Sequence, residues 1–98
     1  MKFLFVFTGE AKDSLKKLKA DAGLNKRLEA VRKTLRLLCE NPRHPGLQTH
    51  QCDSIFGPNG EKVFEAYAEQ NTPATYRVFF YYGPQRGEIT IFAVTRHE

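Results

Sequence analysis

A chain of 98 residues supports one hydrophobic core and rarely two, so a single domain over 1–98 is expected. With 41% hydrophobic and 27% charged residues it has the composition of a folded globular protein, which excludes intrinsic disorder. The net charge of +4 and pI near 9.2 permit an anionic partner, a nucleic acid or an acidic protein segment, though many ordinary domains carry as much.

The chain opens on Phe3-Leu4-Phe5-Val6-Phe7, an apolar run shorter than the roughly 7–15 residues of a secretory core. Glu10, Lys12 and Asp13 follow it, with no small-residue cleavage site, so Lys2–Phe7 reads as a strand covered on both faces. Thr8 is a helix N-cap candidate. Ala11, Leu15, Leu18 and Ala22 then form a helical stripe, with Gly23 as a left-handed stop. A second stripe, Leu24, Leu28, Val31, Leu35 and Leu38, runs to Asn41-Pro42, where the residue before proline leaves the α region. Cys39 and Cys52 have no Cys or His at ligand spacing and read as free thiols of a cytosolic protein.

Prolines and glycines punctuate residues 41–60, which predicts a long surface segment with Leu47 and Ile55 or Phe56 tucked inward. Three strands are expected next. Val63–Glu69 alternates Phe64, Ala66 and Ala68 against Glu65, Tyr67 and Glu69. Thr75–Tyr82 alternates Tyr76, Val78, Phe80 and Tyr82 against Arg77, Phe79 and Tyr81, and a Gly83–Gly87 turn leads into Glu88–Thr95. The order β-α-α-β-β-β predicts an α+β fold. An N-terminal strand and a two-helix hairpin pack on an antiparallel sheet with a C-terminal three-strand meander. One sheet face stays partly open and presents Glu65, Tyr67 and Arg77. No stretch approaches the roughly 20 apolar residues of a membrane span, so no membrane partner is expected.

The sequence holds no phosphate-cradling glycine loop, metal-ligand cluster or serine-nucleophile motif, which argues against a cofactor or metal enzyme. Single residues remain. Arg77 is either paired with Glu65 one strand over or a fixed cation facing a phosphate. His97, just past the last strand, and His50, in the long loop, read by themselves as solvated surface groups. Tyr67 either stacks on a base or covers apolar surface.

Four segments resemble the RelE/ParE toxins of type II toxin–antitoxin systems. Asn41–His50 is similar to that family's Asn-Pro helix stop followed by a Pro-Gly-Leu turn and a Thr-His pair. Val63-Phe64-Glu65-Ala66-Tyr67 and Tyr76-Arg77-Val78-Phe79-Phe80-Tyr81 resemble its second and third strands, and Ile89–Glu98 its last. The resemblance covers nearly the whole chain. It departs at Tyr67, where an arginine is frequent, and at the longer Gly57–Gly60 and Asn71–Pro73 loops.

The resemblance implies an endoribonuclease that cuts messenger RNA, often on the ribosome, without a metal or cofactor, under the control of a cognate antitoxin protein. Carried over by position, Arg77 matches the arginine on the scissile phosphate, His97 a C-terminal proton-transfer histidine, His50 a loop histidine and Glu65 a Glu-or-Lys strand position. Tyr67, Arg96 and Arg43 are the expected RNA contacts. Arg77→Ala and His97→Ala are expected to abolish most cleavage while leaving the fold intact. The antitoxin's binding segment is expected to be acidic and apolar, its charge meeting Arg32, Lys33 and Arg36. The alternative is a non-enzymatic protein of the same fold, either ParE-like, with DNA gyrase as target, or inactive.

Overall fold

A computed structural model describes residues 2–68 and 75–96. Its elements are β1 (Leu4–Phe7), α1 (Gly9–Ala20), α2 (Asn25–Glu40), β2 (His50–Phe56), β3 (Lys62–Tyr67), β4 (Tyr76–Tyr82) and β5 (Glu88–Arg96). The strands form one five-stranded sheet in the order β1-β5-β4-β3-β2. The N-terminal strand, helical hairpin and C-terminal β3-β4-β5 meander are those expected. The sheet is mixed, because β1 joins β5 in parallel while the other pairings are antiparallel.

Thr8 caps α1 as expected: its hydroxyl accepts from the Ala11 N–H and donates to the Phe92 carbonyl, which pins the helix start to β5. Ala11 and Leu18 of α1 and Leu28, Val31 and Leu38 of α2 are buried against Val78, Phe80, Ile89, Ile91 and Val94 of the sheet. Among these, Phe80 is the largest fully buried side chain. Its face of β4 is thus the helix-covered one, as alternation predicts.

Three expectations need correction. Gly23 does not stop α1 with a left-handed residue. The helix ends at Asp21, in an extended conformation, whose carboxylate accepts from the Gly23 N–H of a short 3-10 turn. β1 is not covered on both faces: it is an edge strand, and Leu4 is 69% exposed because the helices cover only the side of Phe5 and Phe7. The segment 50–56 is a fifth strand, not loop. An edge strand needs apolar groups on few positions, so its composition looks like that of a surface segment. His50, Gln51 and Cys52 pair with Glu65, Phe64 and Val63, after which the register jumps to Phe56 opposite Lys62. That irregularity carries Ile55 onto the outer sheet face and leaves Phe56 exposed, while Leu47 is buried in the helix-side core.

Candidate functional site

The outer face of the sheet, opposite the helices, has its own small apolar cluster of Val63, Phe79, Tyr81 and Ala93, edged by Cys52, Ile55 and Phe92. Strand register sets the polar groups beside it. Glu65 lies opposite His50 on one side and Phe79 on the other, and Tyr67 lies opposite Arg77. With a period of two along each strand, all four polar side chains fall together.

Glu65 is the hub. Its residue is only 4% exposed, yet its carboxylate is fully engaged. Arg77 Nη1 donates to Oε2 at 2.6 Å, while His50 Nε2 at 2.5 Å and the Tyr67 hydroxyl at 3.1 Å meet Oε1. A buried carboxylate without such partners would cost several kcal/mol, roughly the penalty of an unpaired ion. The other His50 ring nitrogen, Nδ1, lies 3.3 Å from the Gln48 carbonyl oxygen, so acceptors on both sides fix the ring plane. Its ring also lies 5.5 Å from that of Tyr67. The Arg77 guanidinium sits over the Phe79 ring at 5.1 Å, a cation–π contact that holds the stem down. Its Nε is buried with no hydrogen-bond partner among the described residues.

Two side chains on this face titrate above their ordinary values, Tyr67 within the cluster and Cys52 beside it. Burial pushes the Tyr67 phenol above its ordinary range, helped by its hydrogen bond and proximity to Glu65 and opposed by Arg77. Burial likewise pushes the Cys52 thiol up, with Glu65 and Asp53 adding to the rise and Arg77 opposing it. Both tyrosine and thiol are therefore held in their neutral forms.

The structure thus brings together Arg77, Glu65, His50 and Tyr67. Arg43 stands apart in the loop after α2, where it and His50 line a groove of about 420 Å³. Arg96, opposite Tyr76, is on the helical side of the sheet, beside Lys26 and Arg27 in a separate groove of about 290 Å³. His97 lies outside the described residues, as do Glu69 and the Asn71–Pro73 segment. Among the described residues, no three His, Cys, Asp or Glu side chains gather as a metal-binding group, and no helix is long and apolar enough to cross a membrane. Sequence reasoning missed Cys52 and Phe79 as neighbours of the cluster. Phe79 was legible as the i+2 neighbour of Arg77. Cys52 was not, because its placement needs the unexpected strand β2.

No protein-family model matches the chain, and no curated protein sequence does. Solved structures do match. A YoeB dimer from Staphylococcus aureus and a YoeB/ParE toxin from Agrobacterium tumefaciens each superpose over 100% of both chains, at TM-score 0.69 and 11% identity. An archaeal RelE–RelB complex from Pyrococcus horikoshii superposes at TM-score 0.65 and 12% identity, over 98% of this chain and 96% of that one. At so low an identity the likeness is one of architecture: the chain has the fold of the RelE, YoeB and ParE toxins.

Proposed function

We infer that this protein is a RelE-type toxin, a metal-independent endoribonuclease that cuts messenger RNA and is neutralised by a cognate antitoxin. The observation that carries the reading is the gathering of Arg77, Glu65, His50 and Tyr67 into one hydrogen-bonded cluster on the sheet face the helices leave open. RNA brings its own nucleophile. The 2′-hydroxyl attacks the neighbouring phosphorus and the bond to the 5′ oxygen breaks, leaving a 2′,3′-cyclic phosphate and a 5′-hydroxyl. The protein must accept the 2′ proton, offset charge on the phosphoryl oxygens and return a proton to the departing oxygen. Arg77 is assigned to the phosphate, since a guanidinium offers paired donors to two oxygens. Glu65 is assigned to accept the 2′ proton, His50 to hold and orient that carboxylate, Tyr67 to stack on a base, and His97 to return the proton. Action on translated messages, in the cytoplasm and on the ribosome, belongs to the same reading.

The archaeal structure holds RelE with RelB. By analogy a partner protein is expected here, its acidic segment meeting the basic side of α2 at Lys33 and Arg36. Arg32 is already paired with Glu29 at 2.8 Å.

A second reading, a ParE-like or inactive binding protein, has its own support. Glu65 cancels the Arg77 charge, and the face around it is largely apolar. Inducing the gene and mapping transcript ends by primer extension separates the two. New ends inside translated messages, lost by about 100-fold to 10,000-fold in Arg77→Ala and His97→Ala, support the nuclease. Growth arrest with intact messages supports the ParE-like reading. High-level production with no growth defect and no partner supports an inactive relative.

A further inference from the structure

The groove beside the cluster is not explained by the chemistry above. It lies between the loop that follows α2 and the rim of the sheet, on the helix side, where the Phe64 and Tyr82 rings meet edge-on at 5.7 Å. Tyr82 is 42% exposed although Phe3, Phe64 and Phe80 surround it, so part of a large aromatic ring is left open to solvent.

Resting on the ribonuclease reading, we propose that this groove is a nucleotide subsite. It takes one unpaired RNA base against Tyr82 and Phe64, with that nucleotide's phosphate toward Arg43. Its volume of about 420 Å³ is within the roughly 300–1,000 Å³ of small-ligand sites. Its chemistry is that of single-strand RNA recognition: aromatic faces for stacking, an arginine for the backbone, amides for base edges. Gln48 and Gln51 supply the amides. His44 accepts from the Gly46 N–H at Nδ1, which leaves Nε2 as its N–H donor. Among the described residues, none of those lining the groove is acidic, as a polyanion requires. His50 ties the groove to the cluster. It stands at the start of the edge strand β2, lines the groove, and reaches Glu65 through Nε2. A strand with its scissile phosphate on Arg77 therefore passes round this edge and delivers an adjacent nucleotide into the groove.

The test is binding of a 2′-O-methyl RNA hexamer, which lacks the nucleophile and is not cut, by fluorescence anisotropy with the full chain. Tyr82→Ala should weaken binding roughly 5- to 150-fold, the range for loss of one stacked base, and Tyr82→Phe should restore it. Arg43→Ala should weaken binding and flatten its salt dependence. Hexamers with one abasic nucleotide should reveal a position where losing the base costs the wild type as much as Tyr82→Ala, and costs that variant nothing more. Thermal melts confirm that each variant is folded. If Arg77→Ala weakens binding while the Tyr82 and Arg43 variants match wild type, the groove holds no nucleotide and the ribonuclease reading stands. If the wild type does not bind the hexamer, the subsite falls, and if induction also yields no new transcript ends, the ribonuclease reading falls with it.

Discussion

Strand β4 shows the two faces of the sheet side by side. Val78 and Phe80 point to the helices and are wholly buried by them, whereas Arg77, Phe79 and Tyr81 alternate with them on the outer face. Phe79 and Tyr81 are nearly as well buried, yet among the described residues no helix covers them. Their cover comes from the sheet's own groups: the Arg77 guanidinium over Phe79, Phe92 beside Tyr81, and Ile55 brought in by the irregular β2. Over Val78 and Phe80 the inner face is thus closed by the helices, and it opens to solvent toward the rim at Tyr82. Among the described residues, the outer face is closed only by long side chains, so it can hold a buried carboxylate at the boundary of water. Burial on the inner face serves stability, and on the outer face it also sets the electrostatics of a site.

Substitutions on each face test that division. Phe80→Ala removes the largest fully buried side chain of the inner layer and should cost about 3–5 kcal/mol in urea denaturation. A loss under about 1 kcal/mol would mean that the helical layer does not bear on β4 as described.

Arg77→Ala comes next. The sequence led to the expectation that truncation here leaves the fold untouched, but the geometry alters it. Glu65 is buried, and losing Arg77 strips its carboxylate of a charged partner. Because the Arg77 side chain is 26% exposed, water can replace part of that interaction. A loss of about 1–3 kcal/mol at neutral pH is expected. Arg77→Ala combined with Glu65→Gln should lose less than Arg77→Ala alone, since the stranded charge is gone. Additive losses in that cycle would show that the pair is not coupled. Smaller still is Leu4→Thr, at an exposed edge position outside both clusters, expected within about 0.5 kcal/mol of wild type.

The parts of this architecture legible in the sequence were those with a strong period. Both helical stripes, the alternation of Val78 and Phe80 with Arg77 and Phe79, and the grouping of Glu65, Tyr67 and Arg77 follow from spacings of 3.6 and 2. β2 was hidden because only one of its edges is paired and its irregular register breaks alternation between Cys52 and Phe56. Losing that strand from the reading also lost the contact of His50 with Glu65, since a loop residue has no register. The exposure of β1 was hidden for a related reason. Phe3–Phe7 is apolar at every position, and only topology decides that this strand sits at an edge.

The finest probe of the outer face is Cys52, whose thiol senses the cluster without belonging to it. Burial is the main cause that raises its pKa, with Glu65 and Asp53 adding and Arg77 opposing. The thiolate is the reactive form, so a raised pKa means a smaller reactive fraction at neutral pH and a titration midpoint displaced upward. Alkylation rates followed against pH in a Cys39→Ser background isolate this thiol, because the only cysteines are Cys39 and Cys52 and both are free. The midpoint should lie above the ordinary thiol value in the parent. Glu65→Gln should lower it by removing a negative neighbour, and Arg77→Ala should raise it by removing the positive one. These opposite shifts separate electrostatics from loosening of the fold, which would expose the thiol and lower its midpoint in both variants. If both variants move the midpoint down together, the outer face is held shut by packing alone, and Glu65 and Arg77 do not set its field.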